Sequence, residues 1–127
     1  ALASATFVKA IGAGYGVNMA LPTDAQFGMS VAFDGSGDRL AVGAYGVNNS
    51  SGAVYLFNNT YGATVHAATF GNGFTGGKNL NVNVQQYEGF GSGLAFNSSG
   101  TRLAIETCRR NPKWKLSLQT HKLLQIP

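Results

Sequence analysis

The sequence predicts an all-β fold built from two four-stranded antiparallel sheets, on three observations. Glycine supplies 18 of 127 residues while charged side chains make up only 11%, which suits short strands joined by tight turns. Apolar residues alternate with a period of two in several short runs. The chain also repeats itself: Phe27 to Val42 aligns without a gap on Phe90 to Ile105, 63 residues later. The same offset sets Ala5-Thr6-Phe7 on Ala68-Thr69-Phe70, Gly14 on Gly77 and Asn18 on Asn81.

Each strand of a copy has its own signal. Met29, Val31 and Phe33 alternate with Ser30 and Ala32 and predict the first strand. The cluster Asp34-Gly35-Ser36-Gly37-Asp38 turns the chain, and Leu40 and Val42 then alternate with Arg39 and Ala41 as the second. The third, Ala53-Val54-Tyr55-Leu56-Phe57, is apolar at every position, as a strand covered on both faces should be. A fourth falls near Ala63 to Phe70, where Thr64, Val65, Thr69 and Phe70 are β-formers between glycine-rich segments.

A four-stranded sheet that is apolar on both faces needs a neighbour on each side, and radial stacking of such sheets is the β-propeller solution. Propellers close with about four to eight blades, and the sequence supplies two. The expectation is therefore completion by partners or by flanking repeats: a homo-oligomeric ring, a place within a longer repeat array, or open stacking into a filament through apolar blade faces and sheet edges. Val54, Tyr55, Leu56 and Phe57, with Trp114, Leu116 and Leu118 of the tail, are the predicted assembly interface.

The run Phe27-Gly28, Val31-Ala32, Gly37-Asp38-Arg39-Leu40-Ala41-Val42-Gly43-Ala44 and Gly52-Ala53-Val54-Tyr55-Leu56-Phe57 resembles an FG-GAP repeat. That repeat is the blade unit of integrin α-subunit propellers and of many bacterial surface proteins. The first copy carries nearly the whole motif, and the second matches from Phe90 to Ile105. Tyr45 stands where the family usually has proline, and Glu106-Thr107-Cys108 replaces Gly-Ala-Pro in the second copy. The resemblance implies an extracellular or cell-surface setting and an adhesive or structural role rather than catalysis.

On this reading residues 1–107 hold two FG-GAP-like repeats, copy one at 5–67 and copy two at 68–107, with its continuation into the tail left open. Residues 108–127 form a divergent basic segment that caps the array or docks on a partner. Four cations balance four anions through Ile105, whereas Arg109, Arg110, Lys113, Lys115 and Lys122 face only Glu106. Trp114, Leu116 and Leu118 alternate with Lys115, Ser117 and Gln119, and the 63-residue offset lays Leu116 to Thr120 on Ala53 to Phe57, which reads as a strand. The competing reading is a helix starting at Asn111-Pro112; the strand is favoured and both remain open.

The sequence argues against most chemistry. The first hairpin offers only Asp34 and Asp38, too few carboxylates for a calcium loop. Gly71-Asn72-Gly73-Phe74-Thr75-Gly76 is a literal dinucleotide fingerprint, but a strand-like, asparagine-rich segment follows it instead of a helix. His66 and His121 lack metal-ligand spacing, no G-x-S-x-G elbow occurs, and Cys108 alone makes no disulfide. No cofactor, metal, catalytic residue, nucleic acid or membrane span is expected. Tyr15, Tyr45, Asn48, Asn49 and Tyr87 are the loop residues suited to a glycan or surface-protein ligand. Asn48, Asn49, Asn58 and Asn97 begin N-x-S/T sequons and are the glycosylation candidates.

Overall fold

A computed structural model describes residues 3–110 and 117–126, with the side chains of 109–110 and 117–119 left aside. The fold is almost all β. After two short parallel strands, β1 (Ile11–Gly12) and β2 (Val17–Asn18), come β3 (Phe27–Phe33), β4 (Leu40–Ala44), β5 (Ala53–Asn58) and β6 (Val65–Gly71). These four form an antiparallel meander, and the two-residue β7 (Leu80–Asn81) adds to β6 in parallel. The second sheet holds β8 (Gly93–Phe96), β9 (Arg102–Arg110) and β10 (Ser117–Gln125), in the order β10-β9-β8. We call the first sheet blade one and the second blade two.

The repeat is visible bond by bond. In copy one the Asp34 N–H donates to the Arg39 carbonyl at 3.1 Å, and Asp34 Oδ1 accepts from Ser36 Oγ and from the Asp38 and Arg39 N–H groups. In copy two the Asn97 N–H donates to the Arg102 carbonyl at 3.0 Å, and Asn97 Oδ1 accepts the Arg102 N–H at 2.9 Å. Either side chain closes the same turn because both offer an oxygen two bonds from Cβ. Partial desolvation pushes the Asp34 carboxyl upward, and the surrounding hydrogen bonds outweigh it, leaving it below the usual carboxylate range.

Blade one is covered on both faces from within the chain. Its back face carries Ala41, Val54, Leu56, Ala68 and Phe70, which pack with Phe90, Leu103 and Ile105 of copy two. Its front face carries Leu40, Val42, Ala44, Tyr55 and Phe57, packed by Met19 and Ala25 with Ile11, Val17 and Leu21 beside them. The expected assembly role of Val54, Tyr55, Leu56 and Phe57 is therefore corrected: all four are at most 5% exposed and lie in these two internal cores. The all-apolar strand does need a layer on each side, but blade two and the amino-terminal segment supply them.

Among the described residues blade two is covered on one face only. Leu103, Ile105 and Thr107 of β9 face blade one and are buried, while Ala104, Glu106 and Cys108 between them are half-buried on the back. Within the tail Ser117–Gln125 form a strand, as one of the two readings expects, and the helix start at Asn111-Pro112 lies outside the described residues. Its register also departs from the 63-residue offset. Ala44 faces Ala53, nine residues on, whereas the matching Thr107 faces Thr120, thirteen residues on. The strand matching Ala53 to Phe57 is thus Thr120 to Leu124, because β9 runs on to Arg110 where β4 ends at Ala44. Trp114 and Leu116 lie outside the described residues, as does the side chain of Leu118.

Candidate functional site

The two copies are fastened at both ends, and the upper fastening builds a cleft. Asn48, Asn49 and Ser50, in the turn Val47–Ser50, are left-handed in succession (φ 53°, 54° and 64°). A run of such residues is unfavourable for L-amino acids unless the surroundings hold it. Here copy two holds it. The N–H groups of Tyr87, Gly89 and Phe90 donate to the carbonyls of Asn49 (3.3 Å), Ser50 (2.8 Å) and Ser51 (2.9 Å). At the lower end the Gly35 N–H donates to the Ser98 carbonyl (3.1 Å) and Arg39 Nη1 to that of Gly100 (3.0 Å).

Close backbone approach is why glycine stands at Gly52. Its φ is +94°, and a Cβ there would fall on the Phe90 carbonyl. Gly52 and Phe90 form a parallel bridge across the blades, and Ser30 Oγ adds a bond to the Gly91 carbonyl.

Beside this seam lies an open cleft of about 440 Å³ lined by Gln26, Met29, Tyr45, Ser50, Tyr87, Ser92, Glu106 and Cys108, among others. Tyr87 is 47% exposed and left-handed (φ 67°), so its ring is presented by a backbone that copy one pins through Asn49. Ser92 Oγ donates to the Glu106 carbonyl at 3.2 Å, and the Glu106 carboxylate lies 3.7 Å from His121 Nε2. The cleft offers two phenols, a carboxylate, an amide and two hydroxyls, which suits hydrogen bonding to a polyhydroxylated ligand.

Of the loop residues singled out from sequence, Tyr45 and Tyr87 meet in this cleft and Asn49 anchors one of them. Asn48 points elsewhere, its Nδ2 donating to the Asn72 carbonyl at 3.2 Å, and Tyr15 stands 65% exposed between β1 and β2. Gln26, Ser92 and Glu106 escaped sequence reasoning; the only available signal was that Glu106 replaces the glycine at the end of the repeat motif. Among the sequons, Asn48 and Asn49 are exposed, the Asn97 amide donates to Ser99 and Thr101 within its turn, and Asn58 is half-buried.

A second surface lies on the front of blade one. Val31 and Phe33 of β3 are 59% and 46% exposed, and Phe33 stacks on Tyr61 with ring centroids 6.1 Å apart. Together with Phe7 and Val8 they border a groove of about 520 Å³. At the 63-residue offset their counterparts are Leu94 and Phe96, which pack against the core shared by the blades.

Residues 22–57 match the FG-GAP repeat family, a span that covers β3, β4 and nearly all of β5. The chain carries an FG-GAP repeat over these residues. FG-GAP repeats are generally non-catalytic and typically occur in extracellular proteins. A 27-residue stretch is 63% identical to 7-carboxy-7-deazaguanine synthase of Burkholderia multivorans (strain ATCC 17616 / 249), covering 21% of this chain and 13% of that protein. The chain thus spans about an eighth of that relative's length. No solved structure matches the chain. The FG-GAP blades here do not close a propeller. Among the described residues no helix is long and apolar enough to cross a membrane, and no group of three or more His, Cys, Asp or Glu residues is placed to hold a metal ion.

Proposed function

We propose that this FG-GAP module is a non-enzymatic, extracellular structural and adhesive unit that works by assembling with further copies of itself. One observation carries the reading. Val31 and Phe33 stand exposed on the front of blade one, while Leu94 and Phe96, their counterparts in copy two, pack against the neighbouring blade. The contact within the chain is front-to-back, and a front-to-back contact uses two different surfaces, so it propagates into a ring or a filament. The amino-terminal segment covers the Leu40, Val42 and Phe57 part of the front of blade one, and the β3 part with Val31 and Phe33 is what such a contact leaves open.

Sedimentation velocity across a concentration series tests this. The unaltered chain should gain mass with concentration, and Phe33→Asp should weaken association about tenfold or more, as burying a carboxylate costs well over 1.4 kcal/mol. A chain that stays monomeric throughout, or a variant that associates as well as the parent, contradicts the reading.

A second reading, a glycan-binding module, is favoured by Tyr45 and Tyr87 converging on a polar cleft over a strained backbone. Glycan-array binding that falls on Tyr87→Ala supports it, and an array without binders removes it.

A further inference from the structure

Blade one has four antiparallel strands and blade two has three, so one edge of β10 pairs with no described strand. In blade one the corresponding edge of β5 is covered by β6, with Val54 facing Phe70 and Leu56 facing Ala68. The repeat register identifies the chain's own counterpart of β6. Ala68-Thr69-Phe70 matches Ala5-Thr6-Phe7, which is exposed coil in the described structure. Among the described residues, Ala5-Thr6-Phe7 is thus a strand segment without a blade and β10 the edge of a blade without a fourth strand.

We propose that Ala5-Thr6-Phe7 of a second copy adds to the open edge of β10 as the fourth strand of blade two. This deepens the assembly reading above and rests on it.

Register and exposure agree. The β10 residues matching Val54 and Leu56 are His121 and Leu123, so Phe7 falls opposite His121 and Ala5 opposite Leu123. Phe7 and Leu123 are the two most exposed large hydrophobic side chains among the described residues, at 85% and 80%. In the completed blade they become diagonal neighbours on one face, a pairing that stabilises sheets. Along the other face of the edge runs a cleft of about 480 Å³ walled by Phe70, Leu124 and Ile126, where the buried Asn58 Oδ1 has no hydrogen-bond partner. An edge strand beside unfilled apolar space is the usual receiver in strand addition.

Polarity selects a second copy over the same chain. Lys9 Nζ donates to the Gly62 carbonyl and to Thr64 Oγ1, so the segment leaves from the β5–β6 turn. The inter-blade bonds of Gly35 and Arg39 place that turn at the same end as Gln125. An antiparallel strand in the register above needs residue 9 at the opposite end of β10. A second copy meets that demand without breaking the Lys9 anchor.

The test mixes two single-cysteine proteins in a Cys108→Ser background, one carrying Phe7→Cys and the other His121→Cys, under oxidising conditions. Directly opposed strand positions lie within disulfide reach. A heterodimer should be the main product, with about a tenth as much when Gln125→Cys replaces His121→Cys. Leu123→Asp should weaken association about tenfold by sedimentation. Equal cross-linking by both pairs, or none, together with unchanged association of Leu123→Asp, overturns the inference. If Phe33→Asp still abolishes association in that case, assembly through the front face stands and only strand addition falls.

Discussion

Blade one and blade two share the repeat's turn and strand pattern, yet among the described residues one is covered on both faces and the other on one. Blade one has a layer on each face and a neighbour along β5 on both sides, so Phe57, Val54 and Ala53 are fully buried. Blade two turns Leu103 and Ile105 to the shared core and leaves Leu123 80% exposed on its back. Sequence similarity therefore fixes how a blade is built but not how it is covered. Coverage depends on what lies next to it, and that decides which surfaces remain free to act.

The sharpest way to break the comparison is to hollow each blade. Phe57→Ala removes a fully buried ring with edge contact to Phe27 and should cost about 3–5 kcal/mol. Leu124→Ala, at a half-buried site of blade two, should cost about 1 kcal/mol. Chemical denaturation of the two variants measures both, and equal losses would erase the distinction between the blades. Gly52→Ala strikes the seam between them, combining an unfavourable φ with a clash on the Phe90 carbonyl. It should cost on the order of 3 kcal/mol and lower the unfolding midpoint of the whole chain.

Smaller effects sharpen the same contrast. His66 sits against Tyr55 and Phe57 with Nε2 2.9 Å from Thr69 Oγ1, and desolvation there holds its imidazole below the ordinary histidine value despite a backbone bond to Ala68 that acts the other way. A depressed folded-state pKa means that the unfolded chain binds the proton more readily. Stability should therefore be fully present above about pH 6.5 and decline as acid protonates the site. His66→Gln should flatten that decline in denaturation curves between about pH 7.5 and 5.

Much of blade one is legible from residues alone. The alternation in Val31 to Phe33 and Leu40 to Val42, the Asp34 turn and the all-apolar Ala53 to Phe57 give strands where β3, β4 and β5 lie. What covers Ala53 to Phe57 is not legible, because the short alternation of Val17, Met19 and Leu21 gives an apolar face without saying which sheet it packs on, and Ala25 stands alone after it. The tail is ambiguous for a local reason: Asn111-Pro112 fits a helix start while the alternation after it fits a strand, and only pairing with β9 decides. The four-residue shift of β10 is hidden too, since no glycine marks the end of β9 as Gly43 and Gly46 do in copy one. In the cleft, the tyrosines could be singled out as loop aromatics, but Gln26 and Glu106 become partners only through the seam that joins the copies.

Amide hydrogen exchange followed over a dilution series tests the contrast most directly. The account predicts that β5 (Ala53–Asn58) exchanges slowly at every concentration, and that β10 (Ser117–Gln125) exchanges quickly when dilute and slows as association covers its edge. A β10 as protected as β5 at the lowest concentration, or one whose exchange does not change with concentration, would contradict it.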